Sequence, residues 1–341
     1  MKGYSKRQIH NAKRAKKLLA AIGYPSVKDF KAALKSGMIK NCPVNVEDLD
    51  ICMDIFGNDI ASLKGKTTRN APDRVRTNII AVPRFILHKN GTVTLDIDLF
   101  YVNRLGFLTS LSQNITFGTV QHVLDRKATT ILNGVMAIIE HYLLRGFTVK
   151  VINADNEFEP LRKDLIKMGI ATNITSANEH VPRIERRIRL IKERVRSIRH
   201  TLPYVTMPKS MVVDMVKFVV HWLNAFPVKG GISENMSPGL IMTGKSVDFQ
   251  LHCKQPFGSY VQTHEENSPR NSQQARTLGA ITLGLNNSSQ AGYYFMNLNT
   301  GKRIHRRSWT PVPMPDEVIK RIEQLGKKDN QPNLLVFTDN G

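Results

Sequence analysis

The sequence predicts an α/β core with a mixed five-stranded sheet, set between a basic helical segment and a small β-rich segment. Apolar and polar residues alternate from Val93 to Tyr101, which is the period of a half-buried strand. Helix and strand patterns alternate after residue 128, and short strand patterns separated by turn residues follow Pro238. A chain of 341 residues is long enough for two or three domains. We place boundaries at 1–75 (helical basic region and linker), 76–235 (α/β core), 236–315 (small β-barrel) and 316–341 (tail or linker).

The first 75 residues predict helices rich in Lys and Arg. Residues 9–19 place Ala and Leu among basic side chains, as an amphipathic helix does. Ser26 is predicted to cap a second helix, with Asp29 at the position of a capping-box acid. A third helix is predicted at 46–56, and residues 64–76 are predicted to form a polar, basic linker.

The central segment predicts three antiparallel strands followed by alternating helices and strands. We expect strands first, then a helix that Gly146 ends, then strand, helix, strand and two long helices. The predicted elements are strands at 93–101, 107–112 and 115–123 with a tight connection at 104–106, a helix at 128–144, a strand at 148–153, a helix at 159–168, a strand at 170–174, and helices at 180–200 and 208–226.

Beyond Pro238 the pattern is typical of a small barrel. Short strands are separated by clusters of Gly, Asn and Ser. They are predicted at 259–262, 280–283, 292–296 and 303–306. Past Pro315 we expect a short helix and then a linker, and the ending suggests a piece of a longer polyprotein.

The charge balance favours a polyanionic partner. The chain has 49 Lys and Arg against 28 Asp and Glu, a formal charge of +21. Its spread along the chain suits nucleic acid, although a ribosome-like or membrane-surface protein is an alternative. Three cysteines are too few for a disulfide framework and fit a reducing compartment. The most apolar run, 211–226, is interrupted by charges, so we expect a core helix, no membrane span and no secretory signal.

Two candidate aspartates lie on predicted strands, one within a strand and one at a strand end. Asp98 lies within the first strand, and Asp96 on the same face is its rival. Asp155 ends an apolar strand, where α/β sheets place ligand-binding residues. The alternatives are a solvated edge-strand acid for Asp98 or Asp96 and a helix-capping turn dipeptide for Asp155-Asn156.

Glu185 lies at the start of a basic helix. Isoleucine and valine recur at steps of four and three residues from Ile184 to Ile198 and predict a narrow core stripe. Glu185 is beside that stripe, and four cations follow on its flank. A plain alternative is a solvated helix in which Glu185 pairs with Arg189. The four cations, which could follow a row of phosphates, are Arg189, Lys192, Arg196 and Arg199.

Together the three acids are chemically sufficient for phosphodiester transfer. Two Mg²⁺ ions about 3.5–4 Å apart activate the attacking oxygen and neutralise charge at the phosphorus. Hard oxygen ligands, supplied here by Asp98, Asp155 and Glu185 with waters, hold such ions.

An ordered set of motifs resembles the integrase region of copia-type LTR retrotransposon polyproteins, within the DDE integrases and transposases. The set covers roughly residues 40–315, and no single motif in it is decisive. It consists of Asp98-Leu-Phe-Tyr-Val-Asn103, Gly106-Phe-Leu-Thr109, Asp155-Asn-Glu-Phe158, Glu179-His-Val-Pro-Arg-Ile-Glu185 running on to Arg194, Ser237-Pro-Gly-Leu-Ile-Met-Thr-Gly-Lys245, Phe257-Gly-Ser-Tyr-Val-Gln262 and Gly301-Lys-Arg-Ile-His-Arg-Arg-Ser-Trp309.

The resemblance implies a ribonuclease H-like catalytic core and an SH3-like DNA-binding barrel. Asp98 would be shared by two Mg²⁺ or Mn²⁺ ions, with Asp155 and Glu185 completing one site each. The enzyme would join the 3′ ends of double-stranded element DNA to target DNA as a homo-oligomer, in the nucleus, after a stage in a cytoplasmic particle. The barrel residues expected to contact the DNA backbone are Lys302, Arg303, Arg306, Arg307 and Trp309.

The chain departs from the family at its N-terminus. Many such integrases begin with a His-His-Cys-Cys zinc domain, but here only His10 precedes residue 88. Cys42 and Cys52 cannot complete a four-ligand set, so we expect no zinc and read both as small core residues. Two other functions remain open: a catalytically silent DNA-binding protein derived from a retrotransposon, and a ribonuclease H-like nuclease.

Overall fold

The computed structural model describes residues 3–68, 79–175, 181–265, 273–286 and 292–338. The chain forms two compact units, each built from separate segments. The smaller unit contains Met1–Pro72, Ser259–Ile281 and Arg306–Pro315, and the larger contains Asp73–Gly258, Thr282–His305 and Asp316–Gly341. These units group the chain differently from the four consecutive domains predicted above, which remain a prediction.

Helices and strands have the following bounds. The helices are α1 Lys6–Ala21, α2 Val27–Lys35, α3 Val46–Phe56, α4 Ile60–Lys66, α5 Arg84–Asn90, α6 Ala128–Leu143, α7 Arg162–Lys167, α8 Pro182–Thr201, α9 Lys209–Leu223, α10 Pro238–Thr243, α11 Phe249–His252 and α12 Asp316–Lys328. The strands are β1 Thr92–Val102, β2 Leu105–Ser112, β3 Gly118–Val123, β4 Thr148–Ala154, β5 Ala171–Ile174, β6 Tyr260–His264, β7 Thr277–Leu285, β8 Tyr293–Asn297, β9 Arg303–Arg306, β10 Trp309–Pro311 and β11 Phe337–Thr338.

The helices of the smaller unit begin at side chains that cap them. Ser5, Ser26, Asn45 and Asp59 each accept a hydrogen bond from a backbone N–H of the first turn, which satisfies a donor that has no helical partner. The predicted bounds of α3 are confirmed. Helix α4 was not predicted; its last three residues lie in the segment 64–76 that was predicted to be a linker.

The large sheet of the larger unit has the order β3-β2-β1-β4-β5, with β11 also paired to β1. β1 is antiparallel to β2, and β2 to β3, whereas β1, β4 and β5 run parallel. The sheet is therefore mixed, as predicted, and has six strands rather than five. Three antiparallel strands followed by two parallel strands fit a ribonuclease H-like core.

The alternation along β1 decides which side chains enter the core. Val93, Leu95, Ile97 and Leu99 are buried in one hydrophobic cluster with residues of α6. Side chains of a strand alternate between faces, so Asp96 and Asp98 point to the opposite face.

Two tertiary features of the larger unit differ from the prediction. α5 lies before the first predicted strand, where no helix was predicted, and it ends just before β1 begins. At the other end, the predicted linker contains β11, where Tyr101 pairs with Thr338. The N–H of Asn103 donates to the carbonyl oxygen of Val336 at 2.8 Å, so the tail adds a short strand to the sheet.

The second sheet has the order β10-β6-β7-β8-β9. Four consecutive strands form a meander and the fifth returns beside the first, where β10 is antiparallel to β6. All four predicted strands are present. Among the described residues, no helix is long and apolar enough to span a bilayer.

Candidate active site

Asp98 lies in the C-terminal half of β1, and Asp155 directly follows the neighbouring parallel strand β4. The last registered pair of β1 and β4 is Asp96 with Asn153, whose side chains share a hydrogen bond of 2.7 Å. Asp98 and Asp155 follow two residues later, and the backbone of Asp155 is still extended (φ −74°, ψ 166°). Side chains two residues apart on a strand return to the same face. The register therefore brings the two carboxylates side by side on the face that carries Asp96.

Asp98 is half-buried in a field of negative charge. Its Oδ1 accepts a hydrogen bond of 2.7 Å from the backbone N–H of Leu99. The pKa of Asp98 is raised to about 7, chiefly by burial, while the hydrogen bond from the Leu99 N–H lowers it and the charges of Asp155, Glu157 and Glu185 raise it. A buried carboxyl whose pKa is raised, with further carboxylates acting on it, is a place where a cation would be stabilised.

Glu185 reaches this region from α8, which packs against β1 and β2. The helix begins at Pro182, whose missing N–H costs nothing at a first helical position. Glu185 is exposed in the first turn, where the helix dipole stabilises a carboxylate. The buried side of α8 is formed by Ile184, Ile188, Ile191 and Val195, four residues of the predicted stripe.

The rival acid, Asp96, is fully buried and has several partners. Its Oδ1 accepts hydrogen bonds from Gln113 Nε2 at 3.0 Å and Asn153 Nδ2 at 2.7 Å. Its Oδ2 lies 3.8 Å from Arg183 Nε, and Arg183 also donates to the carbonyl oxygen of Gln113. Asp96 therefore fixes the first turn of α8 onto β1.

Arg187 anchors α8 a second time. Its Nη2 donates to Asn224 Oδ1 at 2.9 Å, and that amide also bonds both the N–H and the carbonyl oxygen of Gly118, at 2.9 and 2.7 Å. Burial lowers the pKa of Arg187 to about 10. A Cβ at Gly118 would lie 2.7 Å from the guanidinium, so glycine permits this approach. Arg183 and Arg187 thus hold the turn of α8 that carries Glu185.

Asp155 and Glu157 occupy the turn that follows β4. Thr175 Oγ1 donates to Asp155 Oδ1 at 3.4 Å. Glu157 is exposed and accepts from Arg126 Nε at 2.8 Å. Glu157 was missed from sequence; its position two residues after Asp155 is the signal that could have found it.

The donor set fits a divalent cation in chemistry, but the side chains are not arranged as ligands of one ion. Carboxylate oxygens are what Mg²⁺ and Mn²⁺ prefer. Among residues 3–68, 79–175, 181–265, 273–286 and 292–338, no three His, Cys, Asp or Glu side chains lie close enough to hold a metal ion. Ion binding would therefore need the three acids to approach one another more closely.

The four cations predicted on the flank of α8 have different surroundings. Arg189 and Arg196 are exposed, and the Arg196 guanidinium lies 5.5 Å from the centre of the Phe337 ring. Lys192 is half-buried. Arg199 donates to the carbonyl oxygens of Leu202 at 3.4 Å and Val205 at 3.1 Å, so its guanidinium holds the chain after α8.

The predicted DNA contacts of the β-rich segment include two cations with acidic partners. Arg303 pairs with Asp214 at 3.1 Å, and its guanidinium lies 4.5 Å from the centre of the Tyr294 ring. Arg306 pairs with Glu265 at 3.1 Å. The other three predicted residues are the exposed Lys302 and the half-buried Arg307 and Trp309.

The two N-terminal cysteines pack in the helical core, as predicted. Cys52 is buried in a cluster with Ala12 and Ala15, and Cys42 packs against that cluster half-buried. The Cys42 Sγ donates to the carbonyl oxygen of Val44 at 3.4 Å. His180, singled out in the sequence as a possible substrate contact, lies outside the described residues.

No protein-family model and no curated protein matches this chain. Among solved structures it is similar to the catalytic core domain of BIV integrase in crystal form I, at 17% identity. The match covers 44% of this chain and 92% of that chain, with a TM-score of 0.31. The class of the fold rests on the strand order of the large sheet, which fits a ribonuclease H-like core.

Proposed function

We propose that this chain is a DDE-type integrase of a copia-type LTR retrotransposon, which joins the 3′ ends of element DNA to target DNA. The observation that carries the proposal is the meeting of acids on one face of the sheet. Asp98 lies within β1, Asp155 directly follows the neighbouring parallel strand β4, and the charge of Glu185 contributes to the raised pKa of Asp98. Three oxygen donors from three elements beside a basic surface suit metal-assisted transfer of phosphodiester bonds.

Each acid has a proposed role. Asp98 would bind both of two Mg²⁺ or Mn²⁺ ions, Asp155 one and Glu185 the other. The ions, when bound, would polarise the phosphate and activate the attacking oxygen. Because the pKa of Asp98 is about 7, its carboxyl would give up a proton as a cation binds. Arg183 and Arg187 would keep Glu185 in place during this approach.

The DNA surface is proposed to combine two regions. Arg189, Lys192 and Arg196 would contact phosphates along α8, and Arg199 is assigned to the fold because two carbonyls occupy it. The β-rich segment is proposed to be an SH3-like barrel, which its meander order with a returning fifth strand supports. Its proposed backbone contacts are Lys302, Arg303, Arg306, Arg307 and Trp309.

The proposed function also implies an oligomeric state and a place of action. Joining two element ends to one target calls for two active sites, so we propose a homo-oligomer on double-stranded DNA. The place of action would be the nucleus, reached from a cytoplasmic particle, with no zinc in the helical unit and no membrane attachment.

A joining assay tests the proposal. The full chain is incubated with Mg²⁺ or Mn²⁺ and a labelled duplex that carries the terminal sequence of the element. Products longer than the substrate are expected, and Asp98→Asn, Asp155→Asn and Glu185→Gln should each reduce them by at least about 10³-fold, as loss of electrostatic transition-state stabilisation does. Asp164→Asn, an exposed acid paired with Lys167, is the control that should keep full activity.

Two outcomes would replace the proposal with its rivals. Shortened products alone, without joining, would indicate a ribonuclease H-like nuclease. Salt-sensitive DNA binding without any metal-dependent product would indicate a catalytically silent DNA-binding protein.

A further inference from the structure

A cavity of about 350 Å³ in the larger unit contains none of the acids of the candidate active site in its lining, although Gly118 and Asn224, which hold Arg187, do line it. It lies among β3, α6, α9 and α10, and the buried side chains of Phe117, Ile138 and Val220 give it an apolar floor. This volume is at the lower end of the range of small-ligand sites, which typically have an apolar lining and a few polar groups. A small molecule with a flat apolar body fits such a floor.

The polar lining of the cavity is basic. Lys217, Lys245, His141, His221 and His252 line it, and none of the described lining residues is Asp or Glu. Cations facing a space with an apolar floor act through a low dielectric, which strengthens their attraction for an anion.

The pKa values of two histidines of the lining, His221 and His252, are lowered in this environment. Burial and the charge of His252 lower the pKa of His221 to about 4. Burial also lowers the pKa of His252, and the charges of Lys245 and Lys254 add to that effect while Asp248 opposes it. Burial, the largest cause, disfavours positive charge at both imidazoles, so the charge that would attract an anion is that of Lys217 and Lys245.

We propose that this cavity binds a small organic anion, a carboxylate carried on a flat apolar ring system. The ring would lie on the Phe117, Ile138 and Val220 floor, and the carboxylate would face Lys217 and Lys245. This site is independent of the integrase proposal, because a ligand here requires neither metal nor DNA.

Calorimetric titration of the metal-free full chain tests the site with three probes. They are 2-naphthoate, its neutral analogue 2-naphthamide, and inorganic phosphate, which offers charge without a ring. The proposal expects 2-naphthoate to bind at least about tenfold more tightly than either comparison, since a charge-assisted contact is roughly twice as strong as a neutral one. Equal binding of the acid and the amide, or no binding of 2-naphthoate, would overturn it.

Variants locate the binding. Lys217→Gln should weaken 2-naphthoate about tenfold, whereas Lys209→Gln, on the same helix but outside the lining, should leave it unchanged. Ala137→Trp places a large ring at an exposed lining position and should abolish binding without changing charge. In the wild type, ring carbons of His221 and His252 should shift on titration while those of His10 do not. Binding that survives Ala137→Trp, or shifts at His10 alone, would place the ligand elsewhere and reject the site.

Discussion

Asp96 and Asp98 lie two residues apart on one face of β1, yet their surroundings are opposite. Asp96 is fully buried, and its partners are two amides and the guanidinium of Arg183. Asp98 is half-buried, and the charged groups that raise its pKa are further carboxylates. The same residue type thus stabilises the fold at position 96 and lies among other negative charges at position 98. A carboxylate acted on by further carboxylates is a better candidate for a metal ligand than one paired with a guanidinium.

Removing the charge of Asp96 is expected to have the largest effect on stability. Asp96→Asn keeps an oxygen for Gln113 and Asn153 but leaves Arg183 without its counter-ion. Removing one partner of a buried pair costs about 3–5 kcal/mol, and the partial exposure of Arg183 reduces this to about 2–3 kcal/mol. We expect urea unfolding of the metal-free chain to show that loss.

Asp164→Asn is the matched control, because its pair with Lys167 is exposed and should contribute less than about 1 kcal/mol. Equal effects of the two substitutions would contradict a structural role of Asp96.

Removing the charge of Asp98 should stabilise the folded chain, whereas removing the charge of Asp96 should destabilise it. Its pKa of about 7 exceeds the ordinary value of 3.8, so the folded state disfavours the ionised carboxyl. Near pH 4 the carboxyl is protonated in the folded state and about half protonated in the unfolded state, so Asp98→Asn should change stability little. As pH rises to 7 the wild type loses stability, because its folded state disfavours the ionised carboxyl. The difference between the two pKa values corresponds to at most about 4 kcal/mol, and solvent screening reduces this. Above pH 7 the variant should therefore be more stable than the wild type by about 2 kcal/mol.

The measurement is urea unfolding at pH 4 and pH 8 with a metal chelator present. Leu99 N–H can still donate to the amide oxygen of the variant, so a lost hydrogen bond does not obscure the result. A destabilised variant at pH 8 would show that Asp98 has cationic partners after all.

Local sequence patterns predicted much of this comparison, but not its outcome. Alternation along β1 placed Asp96 and Asp98 on one face, and the stripe from Ile184 placed Glu185 on a helix beside its buried side. The difference between the two aspartates depends on Gln113 and Arg183, which come from other elements. No local period encodes those contacts, so the sequence left Asp96 as a rival.

Two further elements, β11 and α5, were missed because no local sequence signal marks them. β11 has two residues, and it forms a strand because it pairs with β1 and because Val336 and Asn103 exchange hydrogen bonds. Such a short segment resembles a linker because its partner strand is far away in sequence: Thr338 pairs with Tyr101, 237 positions earlier (338 − 101). α5 has no side-chain N-cap, so the usual signal of a helix start is missing there.

The smallest expected effect extends the comparison to two arginines of α8. Arg199 holds two carbonyl oxygens after the helix, whereas Arg189 is exposed. Arg199→Gln should lower the free energy of unfolding by about 1 kcal/mol, since it removes charge-assisted hydrogen bonds. Arg189→Gln should change stability by less than about 0.5 kcal/mol but reduce the slope of log Kd against log salt for duplex DNA by about 1. Fluorescence anisotropy at several salt concentrations measures that slope. If Arg199→Gln changes the slope and Arg189→Gln does not, the phosphate-contacting flank of α8 lies at its C-terminal end rather than beside Glu185.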